Sequence, residues 1–293
     1  HHHAGDAQQG LGGDPRGEAL REAAMYSVNY HRASSVADAA KLLKSGDAKL
    51  VSGGMTLIPA MKTRLAAPSD LVDVSRIEAL KGVKVSGKTV TIGAATTHFE
   101  VASDEKLKKA CPALAHLASL IGDPAVRHRG TIGGSIANND PAADYPAAML
   151  ALGATIVTNK REIAADKFFK GLFETALKDG EIVTAVTFAA PAKAAYEKFR
   201  NPASRYAVVG VFVASGKANG KDDVKVAVTG AGDDGVFRAK PLEAALAKKF
   251  DASALDGVKV PAGSMMSDIH ASADYRAHLV TVMAKRAVAA ANR

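Results

Sequence analysis

RGTIGGSIANNDPAADYPAAML, residues Arg129 to Leu150, and SGGMTLIPAMK, residues Ser52 to Lys62, decide how this chain reads. Each sets two adjacent glycines after a short apolar stretch, where a strand would run out into a loop and a helix-like segment would follow. A loop without Cβ atoms lets backbone N–H groups close on a bulky anion. Together the two loops predict two walls around one extended phosphate ligand. Neither is a common nucleotide signature. Gly53 and Gly54 lack the third glycine of GxGxxG, neither glycine loop carries GK[ST], and the kinase motifs are missing.

Working outward, the pattern predicts an α+β protein. The first unit, about 25–80, reads as a small βαβαβ arrangement: a strand from Tyr26, a helix in SSVADAAKLLKSG capped by Ser34 or Ser35 and stopped at Gly46, the strand KLVSGG, a helix with Met55, Ile58, Met61 and Leu65 near one face, and the strand LVDVSRI. A larger α+β unit spans about 83–190. It holds the strand TVTIGAATT, a mostly helical run broken at Pro112, the second glycine loop, a helix through YPAAMLALG, and the strands ATIVT and EIVTAVTF. From 191 to 293 the sequence predicts strand YEKFR, an antiparallel hairpin in RYAVVGVFVASGKANGKDDVKVAVTGAG, and two amphipathic helices, the last placing Leu279, Met283 and Ala287 on one face. Residues 1–24 begin with three histidines and are polar and glycine-rich, which reads as a disordered tag and leader.

Composition removes several function classes. At 293 residues the chain can build an ample core, and its one cysteine, Cys111, excludes an internal disulfide and an iron–sulfur cluster held by this chain alone. Beside Pro112 it reads as a small buried hydrophobe. The net charge of +8 is spread along the chain without a dense Lys/Arg run, and with 5% aromatics and no Trp there is little to stack nucleic-acid bases. No apolar stretch approaches the roughly 18 residues of a membrane span, and a cytoplasmic location is expected. His98, His116, His128, His270 and His278 show no metal-ligand spacing. The cluster Arg127–His128–Arg129 reads as a phosphate aid, a partner contact or a solvated loop.

TIGGSIANNDPAADYPAAMLALGA, with KLVSGGMTLIPAMK before it and YEKFRNPASRYAVVGVFVA after it, resembles the FAD-binding medium subunit of the molybdenum hydroxylases, the group of aerobic carbon monoxide dehydrogenase and xanthine dehydrogenase. The resemblance runs from Met25 to the end of the chain. It implies a two-subdomain FAD-binding fold with a C-terminal domain, and two FAD-contacting segments: Leu50, Val51, Ser52, Gly53, Gly54, Met55, Thr56 and Leu57 on one side, Thr131, Ile132, Gly133, Gly134 and Ser135 on the other. Asp144 matches an acid that accepts from cofactor hydroxyls, a use that four lone-pair sites suit. It also fits the N-cap of the following helix. Lys198 matches a lysine near the flavin ring, against the alternative of an exposed strand lysine. Tyr196, two residues away, shares its face. Val183 matches an apolar ring contact, and Ile121 a position often aromatic in the xanthine branch. Asp140 reads as a turn residue.

The resemblance implies an electron-transfer subunit. A large partner carries the molybdenum cofactor, a small one carries two two-iron two-sulfur clusters, and this chain passes electrons through FAD to an external acceptor, in a dimer of heterotrimers. Two alternatives stand beside it: a self-sufficient FAD-dependent oxidoreductase, for which Tyr196 is the one candidate acid or base, and a cofactor-free assembly module on the same fold.

Overall fold

The computed structural model describes residues 29–44, 48–51, 70–202, 207–218, 220–268 and 271–293. Ser52, Gly53, Gly54, Met55, Thr56 and Leu57, the helix expected over Met55 to Leu65, Gly46, His270 and the leader lie outside them. Strand β1 (Asn29–Arg32), helix α1 (Val36–Leu43), β2 (Ala48–Val51) and β3 (Asp70–Asp73) build a parallel sheet ordered β1-β3-β2. Of the two serines offered as caps, Ser35 takes the role: its Oγ accepts the Asp38 N–H at 3.0 Å.

The second unit begins with the hairpin β4 (Val83–Ser86) and β5 (Thr89–Gly93). The helical run that follows is three helices, α2 (His98–Ser103), α3 (Glu105–Ala110) and α4 (Pro112–Ser119). Pro112 makes the break expected of it, and Asp104 makes a second by accepting the Leu107 N–H at 2.9 Å as the cap of α3. The RHR cluster is the end of a short helix, α5 (Pro124–Arg129), not a loop. Then come α6 (Ile132–Asn138), α7 (Tyr145–Ala151), β6 (Thr155–Thr158), β7 (Glu162–Ala164), α8 (Ala165–Phe168), the small hairpin β8 (Phe169–Gly171) and β9 (Glu174–Thr175), and β10 (Val183–Ala189). The sheet, ordered β4-β5-β10-β6-β7, is antiparallel throughout.

One expectation needs correction here. Gly133 and Gly134 do not sit in a loop after a strand. They form the first turn of α6, preceded by a helix. Thr131 caps that turn by accepting the Gly134 N–H at 3.1 Å, so TIGG carries a cap signal that the adjacent glycines obscured.

Strands β11 (Lys193–Arg200), β12 (Ala207–Ala218), β13 (Lys221–Thr229) and β14 (Phe237–Arg238) form an antiparallel sheet in that order, followed by α9 (Lys240–Lys248) and α10 (Ala273–Ala291). Alternation along β12 divides its side chains between two cores. Val209, Val211 and Val213 join Leu242, Leu279, Met283 and Ala287 of the helices, while Phe212 and Ala214 join the core of the second unit. Tyr196 of β11 belongs to that second core as well. The sheet is covered on both faces, and the residues after 190 complete the core of those before.

Candidate functional site

Asp144, Tyr196 and Lys198 meet in the wall between the two cores. Tyr196 and Lys198 lie two apart on β11 and face the same way, as strand periodicity requires. The Tyr196 hydroxyl donates to the Asp144 carboxylate at 2.5 Å and Lys198 Nζ donates to it at 3.1 Å. Only 2% of the Lys198 side chain and 6% of the Asp144 side chain are exposed, so the alternative of an exposed strand lysine is corrected. Its cause is the second covered face of the sheet. Asp144 does stand at the N-cap position of α7, as the alternative reading had it, but its side chain does no capping. Its backbone is helical (φ −80°, ψ −45°), its carboxylate makes no cap bond, and Pro146 in the first turn has no N–H to offer. Burial pushes the Asp144 carboxyl up, against the Lys198 charge and the Tyr196 hydrogen bond. Burial and the same carboxylate hold the Tyr196 phenol well above its ordinary range.

The room for this cluster comes from Gly210. It lies opposite Lys198 in β12, and a Cβ there would collide with the Tyr196 hydroxyl and lie 2.9 Å from its Cζ. An isolated glycine within the apolar run AVVGVFVA was the sequence signal for such a close approach.

The turn Thr131–Ser135 is docked on the loop after β5. Ile132 N–H donates to the Thr96 carbonyl at 3.1 Å and Gly133 N–H to the Ala94 carbonyl at 2.8 Å, while Ser135 N–H returns to the Thr131 carbonyl at 3.1 Å. A Cβ on Gly133 would lie 2.5 Å from that of Ala94. Gly133 is therefore a packing glycine. With these amides engaged inside the protein, what the turn offers a ligand is a close-lying backbone and the hydroxyls of Thr131 and Ser135.

The remaining expected residues fall around this frame. Ile121 is half-buried just after α4. The carbonyl before it, on Leu120, accepts from Lys198 Nζ at 3.4 Å, and its own accepts from Arg127 Nη1 at 3.3 Å. Val183 is buried at the start of β10, next to Thr184, whose carbonyl accepts the Ala94 N–H at 2.9 Å. Leu50 packs on the core of the first unit, and Val51 pairs with Asp73 at the end of β2. Asp140 is a turn residue: its Oδ1 accepts the Ala142 N–H at 2.9 Å. Cys111 is buried and unpaired. Among the described residues no His/Cys/Asp/Glu group could hold a metal, and no helix is long and apolar enough to cross a membrane.

Sequence reasoning gave no role to two further residues. Asn139 ends α6 in the left-handed conformation (φ 46°), which asparagine tolerates, and its amide donates to the Gly171 and Glu174 carbonyls at 2.8 Å each, tying β8 and β9 to the site. His98 is buried, with Nδ1 3.0 Å from the Tyr145 hydroxyl.

With that geometry in view, residues 25–191 match the model of the "FAD binding domain in molybdopterin dehydrogenase". The chain belongs to this family. FAD is therefore its cofactor, and the chain is an FAD-binding medium subunit of the molybdenum hydroxylase type, an oxidoreductase component. It is 35% identical over 275 residues to the carbon monoxide dehydrogenase medium chain of Hydrogenophaga pseudoflava, covering 89% of this chain and 96% of that protein. The xanthine dehydrogenase FAD-binding subunit of Escherichia coli O157:H7 is 25% identical over 285 residues, covering 90% and 96%. Among solved structures, reconstituted CO dehydrogenase from Oligotropha carboxidovorans superposes with a TM-score of 0.81 at 35% identity, over 90% of this chain and 97% of that one. The mixed helix-and-sheet architecture of this medium-subunit type is thus the fold the motifs led us to expect.

Proposed function

We propose that the chain seats FAD between the Leu50–Leu57 segment and the wall described above, and that it carries electrons from iron–sulfur clusters of a small partner subunit to an external acceptor. The hydroxylation itself belongs to a large molybdenum-cofactor subunit, the three chains assembling as a dimer of heterotrimers in the cytoplasm. The observation that carries this reading is the buried Lys198 side chain, bonded to the same Asp144 carboxylate that takes the Tyr196 hydroxyl. When bound, FAD supplies reversible uptake and release of electrons.

The chain's own residues set the conditions. Lys198 holds a positive charge where added electron density is stabilised by it. Asp144 keeps lone pairs beyond the two bonds it accepts, available to cofactor hydroxyls. Ile121 and Val183 supply apolar walls that exclude water, and Thr131 to Ser135 bring a backbone close to the pyrophosphate. This assigns cofactor contacts to Leu50 to Leu57, Thr131, Ile132, Gly134, Ser135, Ile121, Asp144, Val183, Tyr196 and Lys198, with Gly133 seating the turn against Ala94. A self-sufficient oxidoreductase is not favoured, since the Tyr196 hydroxyl is committed to Asp144 and held far above the pKa of a working acid or base.

Gly54→Val and Gly134→Val test the two segments. Each is expected to lose FAD on purification while the circular dichroism spectrum stays that of the wild type. Normal flavin content in both would contradict the assignment.

A further inference from the structure

We infer that His98 is a positioning residue of the cofactor site: its imidazole, wedged between Gly130 and Tyr145, fixes the glycine turn of α6 against the helix that starts beside Asp144. This rests on the proposed placement of FAD against those elements.

Four contacts converge on His98. Its backbone N–H donates to the Gly130 carbonyl at 3.0 Å, and Thr97 before it forms a β-bridge with Thr131 after Gly130. Nδ1 lies 3.0 Å from the Tyr145 hydroxyl, and the two rings sit 5.2 Å apart. The fourth contact explains a glycine. Gly130 has φ −68° and ψ 149°, a conformation open to any residue, so its backbone does not require glycine. Its side-chain space does: a Cβ would lie 2.5 Å from His98 Nε2 and 2.9 Å from Cδ2. Gly130 is small because the imidazole occupies that space.

Both partners of the hydrogen bond are neutral. Burial, then the Arg127 charge, lower the His98 pKa to about 4, and burial holds the Tyr145 phenol protonated. The bond therefore joins a neutral imidazole to a neutral phenol, and the imidazole tautomer sets which of them donates. Tyr145 is the first residue of α7 and follows Asp144 directly, so the link joins the turn Thr131–Ser135 to the Asp144–Lys198 wall. Being buried and bonded, His98 reaches no ligand itself and acts through its neighbours.

The test is FAD titration of the full-length apoprotein, followed by flavin fluorescence, for wild type, His98→Phe, Tyr145→Phe, the double variant and His98→Asn. The asparagine amide, which both donates and accepts, can replace Nδ1 in either role. Each single apolar variant is expected to bind FAD roughly tenfold more weakly, as the loss of one buried hydrogen bond implies. The double variant should bind no more weakly than either single, and His98→Asn should stay within about threefold of wild type. Wild-type affinity in both singles, or losses that add in the double, would overturn the inference while leaving the cofactor reading intact. A wild type that binds no FAD would sink both. If His98→Phe fails to fold, Tyr145→Phe, which removes one oxygen from a buried ring, decides against His98→Asn.

Discussion

Lys198 and Asp144 are each the condition of the other's burial. A lone charge in that position would face a desolvation cost of several kcal/mol, whereas the pair is compensated at 3.1 Å. Lys198→Met is therefore expected to destabilise the apoprotein by about 3–5 kcal/mol in urea unfolding, and Lys198→Met with Asp144→Asn to recover most of that. In the holoprotein the same variant should lower the flavin midpoint potential more than it lowers flavin content. An unchanged potential would place Lys198 away from the ring. His98 gives a pH dependence. Its folded pKa, near 4, lies below the ordinary 6.5, so the unfolded chain binds the extra proton in between, and the stability from neutral His98 is whole above 6.5 and lost as pH falls toward 4. Going from pH 7 to pH 5 should cost roughly 2 kcal/mol, a loss that His98→Asn removes. Equal urea midpoints for wild type at both pH values would contradict a buried neutral imidazole. The shared face of Tyr196 and Lys198 was legible from their spacing. Their burial was not, because it depends on a second covering layer that strand periodicity cannot report.

At the scale of elements, the glycine segment shows what local pattern does and does not carry. Adjacent glycines read as a loop because they weaken a helix by about 1 kcal/mol each relative to alanine. Here the helix forms anyway, since Thr131 caps it and the Ala94 and Thr96 carbonyls take up amides that helix starts leave unpaired. The two glycines also differ in role in a way no spacing discloses. Gly133 faces the loop after β5, so Gly133→Ala should lower the thermal midpoint of the apoprotein by several degrees through a clash with Ala94. Gly134→Val is expected to act on flavin retention instead. Equal thermal midpoints for wild type and Gly133→Ala would remove the packing explanation. By contrast, the hairpin β12–β13 and helix α10 were readable as elements, because apolar runs around a turn and a regular i, i+4 stripe both report directly on burial, although the strands continue through Gly216, Asp222 and Asp223.

Across the whole molecule, the sheet β11–β14 unites the chain. Tyr196, Phe212, Ala214 and Ala227 are core residues of the unit that precedes them, so a fragment ending at residue 190 would expose the surface they cover and lose Lys198. Such a 25–190 fragment is expected to bind an apolar dye and to take up no FAD; a dye-silent fragment with wild-type FAD affinity would show that the C-terminal sheet is dispensable to the site. The family was legible in sequence because its motifs are contiguous stretches of chain. The network behind those motifs, Gly130, His98, Tyr145 and Gly210, was hidden because it consists of contacts between segments far apart in the chain. The central claim is that this chain holds FAD. Its most direct measurement is the visible absorption spectrum of the purified protein, with acid release and quantitation of the chromophore. The account predicts a flavin spectrum and about one releasable FAD per chain. A colourless protein that also fails to take up added FAD would contradict it.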